Sequence, residues 1–405
     1  MPWIQQTRRP SPNDRSHPPG CSGGARKLGS TVKGVVRVSR RPFPPLLITA
    51  LVVSLVACQP GSYQAATDTD LTVSATTPLA EIAWLDDPKS HIGPSTAILD
   101  NASVPALTDD APEPVLPVTA VSNDLAGDVE VTVHSAERII AVDLAGSLAQ
   151  TLWGLGYGDR LVGRDISTTI PGAEDIPVVT GTGHAISPEA VLALRPDLIL
   201  TDGTVGPIDV VLQLREAGIP LVFIREPAGL GQPAAQARRV ADVLGVPERG
   251  RLLAERITAD IDEVTATIQA NTPTNRDDKL RMVFLYLRGS NGIYYLFGDE
   301  SGAGDLVRAL GGIDVAGEIG WEGLRPVTDE ALIAANPDLI LVMSKGLESV
   351  GGVESLVELK PAIGLTTAGQ NRRFVDMADT EVLGFGPRTP QIVDALARAI
   401  YAPEQ

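Results

Sequence analysis

From Arg138 onward the chain alternates two apolar patterns. Short runs dense in Ile, Leu and Val, such as RIIAVD at 138–143, DLILTD at 197–202 and IPLVFI at 219–224, read as strands buried on both faces. LVGRD at 161–165 reads as a further strand, and IPVV follows at 176–179. Between these runs, LAGSLAQTLWGLG and VVLQLREAG place apolar residues at helical spacing, the first ending at Gly154 and Gly156. A short helix is expected from Pro188. Strands alternating with helices predict a mainly parallel sheet covered on both sides.

The pattern changes between Gln232 and Ala270, a long amphipathic helical stretch with a break near Gly245-Val246-Pro247. After NTPTNRDD the alternation restarts, with RMVFLYLRG and GIYYLFG as strands and a helix over 303–310. The second half repeats the first. Ser187-Pro188-Glu189 leads through VLALR to PDLIL at 196–200, and Thr328-Asp329-Glu330 leads through LIAAN to PDLIL at 337–341. Each copy opens on a hydroxyl N-cap, carries Glu at the second helical position and ends its helix before proline. The expected layout is an N-terminal α/β lobe over 131–231, a helical linker over 232–271 and a C-terminal α/β lobe over 272–405.

The N-terminal third follows other rules. RVSRR followed by LLITALVVSLVAC has the basic, apolar and small-residue order of a secretory signal, and LVAC at 55–58 has the form of a bacterial lipobox. Residues 1–57 are thus expected to be a signal peptide, with a start codon that could lie further downstream, and Cys58 to carry the lipid. SRRPF at 39–43 resembles a twin-arginine signal, so the export route stays open. The apolar run is too short to span a bilayer, and acyl chains on Cys58 would hold the protein at the outer face of the membrane. Residues 58–130, rich in Thr, Ala, Pro, Asp and Ser without sustained periodicity, are expected to form a disordered tether, the alternative being that they pack on the head.

Charge narrows the function. Without residues 1–57 the chain keeps 24 Lys/Arg against 49 Asp/Glu, a net of −25. That excludes a nucleic-acid partner as the natural reading. With Cys58 lipidated no cysteine is left for a disulfide. No nucleophile elbow, phosphate loop or HExxH motif is present, so an enzyme is not expected.

Of four histidines, His17 and His91 precede the head, His134 sits at its edge, and only His184 lies within a lobe, in the loop GTGH after a strand. Open α/β sheets bind ligands at such places, and Gly181 and Gly183 let backbone approach a flat ligand. Taken alone, a loop histidine is more often a surface residue. Tyr286 alters that balance. Alternation puts Phe284, Tyr286 and Arg288 on one face. A phenolate is a hard ligand suited to ferric iron, and a neighbouring guanidinium favours it. A core tyrosine beside an edge arginine is the plain alternative. A Mn or Zn site would need a cluster of His, Asp and Glu that one in-lobe histidine does not supply.

The duplicated [S/T]-x-E…PDLIL pattern resembles the substrate-binding proteins of ABC importers for haem, siderophores and cobalamin, over roughly residues 136–402. The resemblance implies an α/β fold of two Rossmann-like lobes with mainly parallel sheets, joined by a long rigid linker helix. It also implies a monomer whose Glu189 and Glu330 dock onto an ABC permease working with its ATPase. A glutamate in a first helical turn also complements the helix dipole, and both roles can hold together. His184 with Tyr286 and Arg288 looks like the haemin-binding lipoproteins of actinobacterial-type importers. Haem (heme, iron protoporphyrin IX) is then the expected cargo, with His184 and Tyr286 as axial ligands and Arg288, Gly183 and Trp321 against it. Arg164, Arg325 and Arg388 are open candidates for the propionates, and Tyr294, Tyr295 and Phe297 for the cleft wall or the core. A siderophore- or cobalamin-binding protein of the same architecture is the alternative.

Overall fold

A computed structural model describes residues 77–403, except 100, 105, 108–109, 288, 290–293 and 383. The signal segment, Cys58 and Arg288 therefore lie outside the described residues.

Thirteen strands are described: β1 Ser95–Ala97, β2 Val118–Asp124, β3 Gly127–Val133, β4 Ile139–Val142, β5 Leu161–Arg164, β6 Leu198–Thr201, β7 Leu221–Phe223, β8 Arg281–Leu287, β9 Tyr294–Leu296, β10 Ile313–Asp314, β11 Arg325–Pro326, β12 Leu339–Met343 and β13 Phe374–Met377. The N-terminal lobe is a parallel sheet in the order β5-β4-β6-β7. The C-terminal lobe runs β1-β13-β12-β8-β9-β11, with β10 also on β8; β1, β13, β12 and β8 are parallel, and β9 and β11 are antiparallel. Both sheets are covered on both faces, as the dense apolar runs predict. Ile139 and Ala141 enter one core while Ile140 and Val142 enter another. Met282 and Phe284 divide from Val283 and Leu285 in the same way.

The repeat extends further than the motif. Ser187 Oγ accepts from the Ala190 amide at 3.3 Å, and Thr328 Oγ1 from the Ala331 amide at 3.2 Å. The two helices, Pro188–Leu194 and Asp329–Ala335, end on left-handed residues, Arg195 at φ 47° and Asn336 at φ 40°. The aspartates of the two PDLIL runs pin neighbouring strands: Asp197 accepts from the Arg138 amide and Asp338 from the Arg281 amide, each at 3.0 Å. Registers Ile139↔Leu198 and Met282↔Leu339 make β4 and β8 equivalent. Asp143, just past β4, therefore holds the place that Tyr286 holds in β8.

The linker is two helices rather than one. Gln232–Val243 ends at the expected break, and Pro247–Asn271 continues for 25 residues. They pack closely: a Cβ on Gly250 would stand 2.4 Å from the Ala241 Cβ and 3.0 Å from the Ala237 carbonyl oxygen. Leu253, Ala254, Ile257 and Ile261 of the long helix belong to the N-terminal core, and Val264 and Ile268 to the C-terminal one.

The tether expectation fails for the described part of 77–130. Trp84 lies 5.5 Å from the Tyr401 ring, β1 extends the C-terminal sheet beside β13, and Tyr157 donates to the Pro112 carbonyl at 2.6 Å. The hairpin of β2 and β3 stands against β7, where the Phe223 amide donates to Ser122 Oγ at 2.8 Å. The head thus begins well before residue 131. Leu79, Ile82 and Ala97 are buried at irregular spacing, so no period betrays them.

Candidate functional site

His184 sits in a tight loop between Thr180 and Ile186, which form an antiparallel bridge. The Gly181 amide donates to the Ala185 carbonyl at 2.8 Å and the His184 amide to the Gly181 carbonyl at 3.1 Å. Closing so short a loop takes two consecutive left-handed residues, Gly183 at φ 72° and His184 at φ 58°. Glycine adopts that conformation freely, and histidine is among the side chains that tolerate it. A Cβ on Gly183 would meet nothing within 4 Å, so the loop presents open space there.

The imidazole has a partner that sequence reasoning missed. Asp165, fully buried, brings both carboxylate oxygens within 3.2 Å of His184 Nδ1. The carboxylate is itself held by the Thr180 hydroxyl and the Ser167 amide, each donating at 2.7 Å. A signal for it was present. Three adjacent strands of this lobe, β4, β5 and β6, each run directly into an aspartate: Asp143, Asp165 and Asp202. Asp143 accepts from Ser147 and Leu148 amides and from the Ser147 hydroxyl, anchoring the helix Ser147–Gly154. Burial, and then the charge of nearby Asp202, push its carboxyl up to about 7. Arg164, Ile166, Thr168 and neighbouring residues up to Glu174 line a cavity of ≈ 340 Å³.

In the other lobe Tyr286 lies half-buried near the end of β8, on the face of Phe284 as expected. Its ring stands 6.3 Å from Tyr295, its register partner on β9, and 6.1 Å from Phe297, edge-on to both. Tyr294 and Phe297 are core residues. Tyr294 donates to Asp329 at 3.1 Å, and burial first, then that carboxylate, raise its phenol. Tyr295 stays half-exposed beside Tyr286. Trp321 is half-buried, donates from its indole to the Leu296 carbonyl at 3.2 Å, and carries the Arg325 guanidinium 5.1 Å over its ring. Its loop is drawn against Gly298, where a Cβ would meet the Trp321 carbonyl oxygen at 2.8 Å.

The three arginines separate. Arg388 is fully buried, donates to Glu381 at 2.9 Å and to the Ala102 carbonyl at 2.9 Å, and meets the Thr169 carbonyl at 3.4 Å. It joins the two lobes and is committed there. Arg164 donates to the carbonyls of Ile176, Thr168 and Glu174, holding its own loop. Arg325 is exposed. Glu189 and Glu330 are both exposed on the first turns of their capped helices. Each is followed one turn later by an exposed apolar residue, Leu192 and Ile333. Among the described residues no group of His, Cys, Asp and Glu forms a metal cluster.

The chain is similar to proteins of known structure. A crystal structure of heme binding protein HmuT matches with a TM-score of 0.70 at 39% identity, covering 78% of this chain and 99% of that one. Variants of that protein replacing a histidine, a tyrosine or an arginine by alanine match at 38–39% identity. In HmuT that tyrosine and arginine lie two positions apart and the histidine 99 positions before the tyrosine; here Tyr286 and Arg288 are two apart and His184 stands 102 before Tyr286. Periplasmic heme-binding protein RhuT from Roseiflexus sp. RS-1 matches at 35% identity with a TM-score of 0.58, covering 67% of this chain and all of its own. A cobalamin-binding protein of Halobacterium salinarum is 26% identical over 281 residues, 68% of this chain and 72% of its own length. The model of one family matches residues 141–380, across both lobes and the linker, and the chain belongs to that family, the periplasmic binding proteins.

Proposed function

We propose that this chain captures haem between its lobes and delivers it to an ABC permease, without chemistry on the cargo. The observation that carries the reading is the set of three residue types, His184, Tyr286 and Arg288, against those replaced in HmuT, with the same Tyr–Arg spacing and a His–Tyr separation three residues longer. Two features of this chain support it. His184 turns one ring nitrogen to a buried carboxylate, which suits the other nitrogen to a metal. Tyr286 offers a half-exposed phenol among aromatic rings, and a phenolate is an established axial ligand of haem iron. Arg288 is the cation that favours the phenolate, Trp321 and Gly183 border the cargo, and Arg325 is the remaining candidate for a propionate. Glu189 and Glu330 form the docking pair for the permease. Cys58 carries the lipid that keeps the protein at the outer face of the membrane.

Adding haemin to the purified head is expected to give a saturable, shifted Soret band, altered again in Tyr286→Phe. No band would favour the cobalamin reading, which cyanocobalamin binding then tests directly. An unchanged spectrum in Tyr286→Phe would overturn the ligand assignment alone.

A further inference from the structure

We infer that Asp165 is a positioning residue: it fixes the tautomer and aim of the His184 ring so that Nε2 faces the cargo as a bare lone pair. The inference rests on the haem reading for its cargo, but its geometry belongs to the chain alone. Asp165 is an acceptor with no exposure, and it faces His184 Nδ1 with both oxygens at 3.2 Å. Thr180 Oγ1 accepts the Ile166 amide at 3.0 Å and gives its own proton to Asp165 at 2.7 Å. A carboxylate can only accept, so the hydrogen bond to Asp165 puts a proton on Nδ1, and in the neutral ring Nε2 is then the nitrogen with the lone pair. The imidazole is 29% exposed while the carboxylate is sealed, so the exposure lies on the side of the ring away from Asp165. The backbone removes the remaining freedom: His184 is held by Gly181 at 3.1 Å and its carbonyl accepts the Gly206 amide at 3.4 Å.

Such outer partners typically change metal affinity about 10- to 100-fold when removed. Asp165→Asn keeps the shape but loses the charge, and is expected to release haemin to excess apomyoglobin about 10- to 100-fold faster than the parent. Thr180→Val, which keeps the carboxylate but frees it, is expected to give a smaller acceleration. In a His184→Ala background Asp165→Asn should add nothing, because the ring it aims is gone. Nitrogen-15 NMR of the haem-free protein should show His184 protonated at Nδ1. An Nε2-protonated ring, no acceleration in Asp165→Asn, or an equal acceleration with and without His184 would overturn the inference. If His184→Ala itself leaves haemin release and the Soret band unchanged, histidine ligation fails instead, and the NMR result still decides the role of Asp165.

Discussion

Arg388 shows how one side chain changes meaning once its surroundings are known. In the sequence it is a cation available to a propionate; in the fold it is sealed between lobes with Glu381. Burial lowers the guanidinium's pKa, and the Glu381 charge works against that shift. Arg388→Ala would strand the Glu381 carboxylate, and removing one partner of a buried pair costs about 3–5 kcal/mol. Urea unfolding is expected to show a loss of that size. Asp143 makes a pH prediction. Its folded pKa of about 7 lies above the usual 3.8, so the folded state holds the proton more tightly than the unfolded chain. Stability from this group falls as pH rises from about 4 through about 7, and Asp202→Asn, which removes the neighbouring charge, should flatten that fall. Melting curves at pH 5 and pH 8 for both proteins measure the difference. His184 and Tyr286 were singled out as candidates because they are metal-binding types standing near strand ends. Asp165 was not, since its role depends on a fold that brings residues 19 apart into contact.

Among the elements, the repeated strand–helix–strand unit was readable to its caps, since a hydroxyl before a helix and a proline after it act locally. Ser187→Ala and Thr328→Ala should each cost about 1 kcal/mol in chemical denaturation. Gly250 tests a contact that no local rule reveals. Glycine to alanine within a helix ordinarily stabilises, by up to about 1 kcal/mol. Here the new methyl would press on Ala241 and the Ala237 carbonyl, so Gly250→Ala is expected to destabilise by about 1–3 kcal/mol. The described stretch 77–130 was misread for the opposite reason. Its composition is that of a spacer, yet a three-residue strand and a few scattered apolar side chains suffice when an existing sheet edge and core receive them.

For the molecule as a whole, docking and binding should separate. Glu189→Arg with Glu330→Arg reverses two exposed charges on the first turns of the capped helices, five residues past His184 and 44 past Tyr286. The double variant is expected to keep the haemin titration of the parent and to lose haem-dependent growth in cells that need this importer. Growth equal to the parent would remove the docking role. Calorimetry tests a second property of the whole. Two lobes with separate sheets suggest two melting events, but the helix Pro247–Asn271 contributes side chains to both cores. One transition, with matching calorimetric and van't Hoff enthalpies, is expected.

That shared helix also bears on mechanics. At 1.5 Å per residue it is about 37 Å long, and each lobe grips a different stretch of it. Spreading the lobes would bend a continuous ladder of hydrogen bonds while prising side chains from two packed interiors. Parting the lobes therefore carries a cost that a loop hinge would not impose. On the proposed function, a partner that grips both lobes is then what supplies the work of unloading.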